Sequence, residues 1–520
     1  MGYPYTDNLI YADATTVLAV AVKFLGLGAY AIQLYNLFFL LTFLMAPIIA
    51  FFLANELKIK AGLDILFALF VVWMNPMMMH WGEWSNLSLS LVYLLAFYLI
   101  VRAYKMKSYY KLAMCTFLLI LISSFIHLYY FLILNMVFAV AYFVIFFQRE
   151  KQLSVFGFLG QLLAAATVVA IIYGSDGLID QRPDQILGVG SASSTAIISD
   201  YFRPYPYLSL PSIYSGSWND SSPLYLGGYF PLLLLAVIVY FLINKSSALC
   251  AYKAFFKNHA LVSLTAASAI CFFSSLGMKI FITPDISVYN FFNPLNYLNE
   301  LIPTFKQFRY VSRFGHVGFL GISLLSFVFL SHISTKFKLK SMGAAVVICI
   351  CLMMSIELLQ VVIFSYSRFD KDNLFSQEIL DDRLPTLDTE SFDAILPIPY
   401  YHVGAETKGL IIDDVDRWSR LTYMMAIKYK KPLMAQKTSR ASVENTKRLF
   451  TIFSEDPDTD LSQKLKGKSV LICYSKKHQA LAPVDDPAKT VVLNQDTVLN
   501  AWEKIKIAEK DSILYFLKEF

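Results

Sequence analysis

The sequence predicts an α-helical polytopic membrane protein of about ten transmembrane helices, followed by a soluble α/β domain. Three observations carry this. Of the 520 residues, 57% are hydrophobic and only 16% charged, with a mean hydropathy of +0.54, far from the balance of a soluble domain. The apolar residues fall in runs of roughly 17 to 25, the length that crosses the hydrocarbon core of a bilayer. Beyond Tyr366 the composition changes to DKDNLFSQEILDDRLPTLDTESF and stays mixed, which marks off residues 366–520 as a second domain of about 150 residues after a membrane domain of residues 1–365.

The expected spans are residues 30–54, 63–79, 85–101, 112–127, 128–147, 153–173, 224–243, 259–277, 313–332 and 342–365. The pair meeting at 127 is separated by little beyond Ser123, Ser124 and His127. Alternate connections are basic: Lys58 and Lys60; Arg102, Lys105, Lys107 and Lys111; Arg149 and Lys151; Lys245, Lys253 and Lys257; Lys336, Lys338 and Lys340. The positive-inside rule makes these cytoplasmic. Residues 1–29, the turns near 80–84 and 127, the stretches 174–223 and 278–312, and the tail are then outside. This places the N-terminus outside with no helix before it, so a further helix ahead of Met1 is expected. The stretch VYNFFNPLNYLNELIPTF fits a helix along the interface.

In the tail, FDAILPIPYY and KSVLICYS read as buried strands, DRWSRLTYMMAIKY and SVENTKRLFTIF as helices, and DSILYFLKEF as a last strand. The net charge of +6 is dispersed between apolar runs rather than gathered on one face, which argues against nucleic acid as a partner. Of six cysteines, only Cys473 lies in the tail, and no CxxC or Cys/His zinc spacing occurs.

The outer connections collect the polar groups least at home beside a bilayer: Asp7, Asp13, His80, Glu83, His127, Arg203, Arg309 and Arg313, with Tyr205 among the aromatic residues of YFRPYPYLSLPSIYSGSW. Ionisable groups at a hydrocarbon edge are costly and mark substrate or ion pathways. Each also has a structural explanation. The arginines can snorkel to headgroups, His80 and Glu83 fill a tight aromatic-belt turn, His127 can be a satisfied interhelical histidine, Asp7 a turn residue, and Asp13 the N-cap of the ATTVLAVAVKFLG helix.

The segments LIYADATTVLAV, MHWGEWSNLSL, FIHLYYF, WNDSSPLYLGGYFPLLLL and FRYVSRFGHVGFLG, in that order, resemble bacterial GT-C-type membrane glycosyltransferases, a superfamily some of whose members carry an outside α/β domain at the C-terminus. The likeness covers about residues 1–335. It implies a polyprenyl-phosphate-linked sugar as donor, a glycan, lipid or protein as acceptor, and inverting transfer at the outer face of a bacterial inner membrane. It implies Asp13 as catalytic base, with Asp7 as second choice. Chemistry at such a site also needs cations on the departing phosphate, a task suited to Arg309, Arg313 or Arg203, and groups that position the substrates, such as His80, Glu83, His127 and Tyr205. The sequence departs from better-known relatives in lacking an Asp-x-Asp or Asp-Glu pair. No cofactor is firmly implied, and a divalent metal would fall to Asp13, Glu83 and His80.

Two rivals stand beside the enzyme. A lipid-linked sugar transporter or flippase would place polar groups nearer the bilayer midplane, where Glu357 is the main ionisable residue. A non-catalytic assembly protein would use the helices as an anchor.

Overall fold

The computed structural model describes residues 3–5, 15–75, 89–106, 108–148, 151–175, 196–202, 225–243, 255–283, 286–291, 293–295, 297, 311–336, 340–368, 376–405, 410–415, 417–437, 442–454, 456–480 and 486–520. The chain divides into two units: residues 14–172 with 185–369, and residues 1–13 and 173–184 with 370–520.

The first unit is helical. Its helices are α1 (Thr16–Phe24), α2 (Ala31–Glu56), α3 (Leu63–Trp73), α4 (Ser90–Ala103), α5 (Tyr109–Ser124), α6 (Leu128–Phe147), α7 (Lys151–Ser175), α8 (Tyr229–Ile243), α9 (His259–Ser275), α10 (Gly315–Lys336) and α11 (Lys340–Arg368). Against the ten spans expected, five helices among the described residues are long and apolar enough to cross a membrane: α2, α6, α7, α10 and α11. The shorter apolar helices, α3, α4, α5, α8 and α9, have 11 to 17 residues. They rise about 16–26 Å, short of about 30 Å of hydrocarbon. Local chemistry explains two of the shortfalls. Pro76 disfavours helical backbone at Asn75, so α3 stops before the apolar run does. Gly227, at φ +104, cannot continue a helix, so α8 starts five residues later than its run.

Helix α11 displays the lipid-facing pattern. Ile348, Leu352, Ile356, Leu359 and Ile363 form an exposed apolar stripe, while Ile350, Met354, Glu357 and Val361 face inward. Such a stripe is unfavourable in water and neutral in hydrocarbon. Helices α9 and α10 pack closely because Gly321 carries no side chain; a Cβ there would lie 2.1 Å from Ser268 Oγ.

One end of this unit gathers the basic connections. Arg102 (2.7 Å) and Lys105 both pair with Glu56. The Tyr104 hydroxyl donates to Gln148 Oε1 at 2.6 Å, and the Lys60 N–H donates to Ser331 Oγ at 3.0 Å.

Beyond α9 the chain forms an antiparallel hairpin, β1 (Lys279–Thr283) with β2 (Ile286–Tyr289). This corrects the start of the interfacial helix expected from VYNFF onwards: Val288 and Tyr289 belong to a strand, while Pro294, Leu295 and Tyr297 further along are helical. The β-branched alternation of KIFIT and ISVY around Pro284 is the signal for it.

The second unit alternates strands and helices. Its main sheet has the order β3 (Ala394–Ile398), β7 (Ser469–Ser475), β9 (Ile513–Glu519), β8 (Ile505–Lys510), with β3 and β7 parallel and the rest antiparallel. A smaller sheet joins β5 (Leu410–Ile412), β4 (His402–Ala405) and β6 (Gln436–Lys437). Helices α12 (Gln377–Arg383), α13 (Trp418–Tyr429), α14 (Val443–Phe450), α15 (Thr459–Leu465) and α16 (Asp486–Ala501) complete it. Ile395, Leu396, Leu471, Ile472, Trp418 and Leu461 lie in its core. Tyr3 and Tyr5 pack with these residues.

Candidate functional site

The best-defined constellation sits at the end of the helical unit opposite the basic connections, around the turn between α5 and α6. The Val17 N–H, in the first turn of α1, donates to the Phe125 carbonyl at 3.0 Å. His127 adopts extended backbone, and its Nδ1 accepts the Tyr129 N–H at 3.1 Å. That bond satisfies one of the orphan donors at the start of α6. The Tyr129 ring in turn carries the Arg313 guanidinium, with Cζ 4.2 Å from the ring centroid, a cation–π contact of about 0.5–2 kcal/mol. Arg313 belongs to a short 3-10 turn, Val311–Phe314, that feeds α10.

Behind this layer, the buried Tyr130 hydroxyl accepts the Leu89 N–H at 3.2 Å. Tyr93 lies 5.4 Å from the Tyr130 ring and 6.3 Å from that of His316. The same end is closed by polar ties to the last turn of α9. Asn290 Nδ2 donates to the Gly277 carbonyl at 2.9 Å, Asn293 Nδ2 to that of Ser274 at 3.3 Å, and the Ala196 N–H to that of Ser275 at 2.8 Å. The Leu226 N–H donates to the Tyr201 carbonyl at 3.0 Å.

A second constellation is fully enclosed. Glu357 has no exposed surface. Its Oε1 accepts the Tyr225 hydroxyl at 2.7 Å and the Gly228 N–H at 2.6 Å, immediately before α8. The two glycines make this approach possible. A Cβ on Gly227 would lie 2.5 Å from the Tyr229 ring, and one on Gly228 would lie 3.0 Å from both Glu357 Oε1 and the Tyr225 hydroxyl.

In the C-terminal unit, Lys437 Nζ donates to Asp413 at 2.6 Å and to Asp414 at 2.9 Å, while the Ser419 N–H donates to Asp414 at 3.0 Å. Burial works to raise the Asp414 pKa, but the Lys437 and Ser419 bonds outweigh it and hold the carboxyl below the ordinary aspartate value. Burial likewise works to lower the Lys437 pKa, and the two aspartates outweigh it and raise it. The groups form a mutually satisfied ion cluster.

Of the sequence-predicted site residues, the structure brings His127 and Arg313 together through Tyr129. Asp7, Asp13, His80, Glu83, Arg203, Tyr205 and Arg309 lie outside the described residues. The expectation that Asp13 caps the first helix is corrected: α1 has Thr15 at its N-cap position, without a side-chain cap bond. His127 proves to be a helix cap rather than only an interhelical histidine. Among the described residues, no group of three or more His, Cys, Asp or Glu could hold a metal, and the three candidate ligands Asp13, Glu83 and His80 are not among them.

Sequence reasoning did not single out Tyr129, Tyr225 or Gly228. The signal for Tyr129 is its place two residues after a histidine at a helix start. For the other two it is the Gly-Gly pair between tyrosines in YLGGYF, directly ahead of an apolar run.

A family model described as Domain of unknown function (DUF6311) matches residues 1–358, and the chain belongs to that family. Among curated proteins, nothing matches the chain at a significant level.

Proposed function

We propose that this DUF6311 member is a membrane glycosyltransferase that moves a sugar from a polyprenyl-phosphate donor to a glycan, lipid or protein acceptor at the outer face of a bacterial inner membrane. The observation that carries the reading is the shared turn between α5 and α6. The first turn of α1, which follows Asp13 in the chain, bonds to Phe125, and the Arg313 guanidinium rests on Tyr129 four residues later. The first turn of α1 and the cationic threshold of α10 thus meet one structural element. The order of segments shared with GT-C-type enzymes supports the same reading.

In the proposed reaction, Asp13, with Asp7 as second choice, takes the proton of the acceptor hydroxyl. The hydroxyl oxygen bonds to the anomeric carbon as the carbon–phosphate oxygen bond breaks, and the configuration inverts. Polyprenyl phosphate leaves with its charge held by Arg313, Arg309 or Arg203. His80, Glu83, His127 and Tyr205 position the substrates, His127 by fixing the turn beneath Arg313. A metal, if used, would bind through Asp13, Glu83 and His80.

A C-terminal domain on the outer side fits this chemistry and the sorting of basic connections to one end. Residues 3–5 and 376–520 belong to one folded unit, which a bilayer cannot divide.

The test uses the full chain in lipid nanodiscs with a panel of radiolabelled polyprenyl-phosphate sugars. Release of polyprenyl phosphate that is lost in Asp13→Asn and reduced in Arg313→Gln supports the reading. Full activity in Asp13→Asn rejects Asp13 as the base. Movement of substrate across vesicles without release of polyprenyl phosphate would establish the transporter instead.

A further inference from the structure

Residues 1–13 group with the C-terminal residues rather than with the helices that follow them. The contact has the features of a docked anchor. The Tyr3 N–H donates to the Leu433 carbonyl at 3.0 Å, a bond from the N-terminal segment to the loop between α13 and β6. The Tyr5 side chain is only 7% exposed and counts among the core residues of the unit. Lys464 Nζ, on α15, lies 5.2 Å from the centroid of its ring, and its buried hydroxyl lies near the Asp460 carboxylate of the same helix without a hydrogen bond to it. Asp460 is itself fixed by Arg448 of α14 at 3.0 Å. A buried aromatic ring with a cation on its face and a carboxylate near its hydroxyl is the kind of anchor that holds an extended segment in place.

We propose that the C-terminal domain serves as the fixed mooring of the N-terminal segment, with Tyr5 as the anchoring side chain and the Tyr3 amide as the backbone tie. In the sequence, Asp7 and Asp13 follow Tyr5 and precede Thr15, the N-cap position of α1. Tyr5 is thereby a positioning residue. Its catalytic consequence rests on the transferase reading; the mooring itself does not.

Hydrogen exchange of the full chain in nanodiscs separates the two. In the wild type, the amides around Tyr3 are protected. Tyr5→Ala accelerates their exchange by at least about tenfold, since burial of an aromatic ring contributes more than one factor of ten to such a local equilibrium. Peptides from β7 and β9 keep their wild-type protection. Tyr5→Phe, which keeps the ring and loses the hydroxyl near Asp460, falls between. Free-peptide exchange at Tyr3 in the wild type, unchanged exchange in Tyr5→Ala, or equal acceleration through β7 and β9 would each overturn the mooring. Where transfer is measured, Tyr5→Ala lowers kcat with donor KM unchanged and Tyr5→Phe restores most of it; unchanged kcat overturns the positioning role. A wild type without transfer rejects the function and leaves the exchange result to decide the mooring.

Discussion

Replacing Glu357 by leucine removes one carboxylate and leaves two donors behind. Glu357 is fully enclosed, and its Oε1 alone receives the Tyr225 hydroxyl and the Gly228 N–H. Leucine fills much of the volume but accepts nothing, so the Tyr225 hydroxyl and the Gly228 N–H lose the carboxylate acceptor they share in an apolar setting. Each such group costs about 1–3 kcal/mol. The reference state moderates this, because in a membrane the unfolded helices find other partners and single interhelical bonds average about 0.6 kcal/mol. A loss of about 2–4 kcal/mol is expected for Glu357→Leu. Glu357→Gln keeps an acceptor oxygen and forfeits only the charge-assisted part, about 1 kcal/mol. Tyr225→Phe removes one donor together with one bond and costs about the same. The assay is thermal unfolding of the full chain in one detergent, followed by tryptophan fluorescence and by the fraction remaining monodisperse. The expected order of stability is wild type, then Gln and Phe together, then Leu. A leucine variant as stable as the wild type would refute the argument that this carboxylate fastens the start of α8 to α11.

Gly321→Leu drives a side chain into Ser268 across the α9–α10 contact and lowers stability in detergent by at least about 1–3 kcal/mol, whereas the exposed neighbour Leu352→Ala on α11 leaves it nearly unchanged in lipid. His127→Ala removes the α6 cap and costs about 1 kcal/mol; hydrogen exchange at the Tyr129 amide reports it directly. Asp414→Asn removes the charge that pairs with Lys437 and weakens the cluster, a loss of about 1–3 kcal/mol at pH 7. Because the folded Asp414 titrates below the ordinary value of about 3.9, its contribution is complete above that pH and disappears as pH falls through the lowered folded value. The gap between wild type and Asp414→Asn in thermal melts therefore closes only below about pH 4, and a gap that closes near neutrality would be inconsistent with this assignment.

The helices were legible because apolar runs report burial in lipid or core regardless of partner, and the alternation of basic connections reports which ends lie together. Glu56 with Arg102 and Lys105 confirms one such end in contacts. The strands of ILPI and SVLICYS were legible for a similar reason: β-branched runs bounded by polar residues have few other solutions. What escaped were features set by single backbone positions. Asn75 before Pro76 shortens α3, and Gly227 at positive φ delays α8, although hydropathy runs straight through both. The β1–β2 hairpin escaped because its aromatic neighbours Tyr289 and Phe291 suit an interfacial helix as well as a strand. The Arg313–Tyr129 contact joins residues 184 positions apart, and no local pattern encodes it.

The enclosed Glu357 bears on the choice between a transferase and a transporter. An alternating transport site needs an ionisable group that exchanges partners between two arrangements of the protein. Glu357 Oε1 is instead held by a backbone N–H at a helix start, and the glycines that admit it have no spare room: a single methyl at Gly227 would strike the Tyr229 ring. The Tyr229 ring is in turn packed edge-on against Phe70 of α3, 5.2 Å between centroids. Releasing the carboxylate would strip α8 of a cap and unpack three helices together. A group so placed is suited to fixing the threshold of α8, which follows the long connection from α7, and a rigid threshold favours a site that holds a substrate for reaction over one that carries it across.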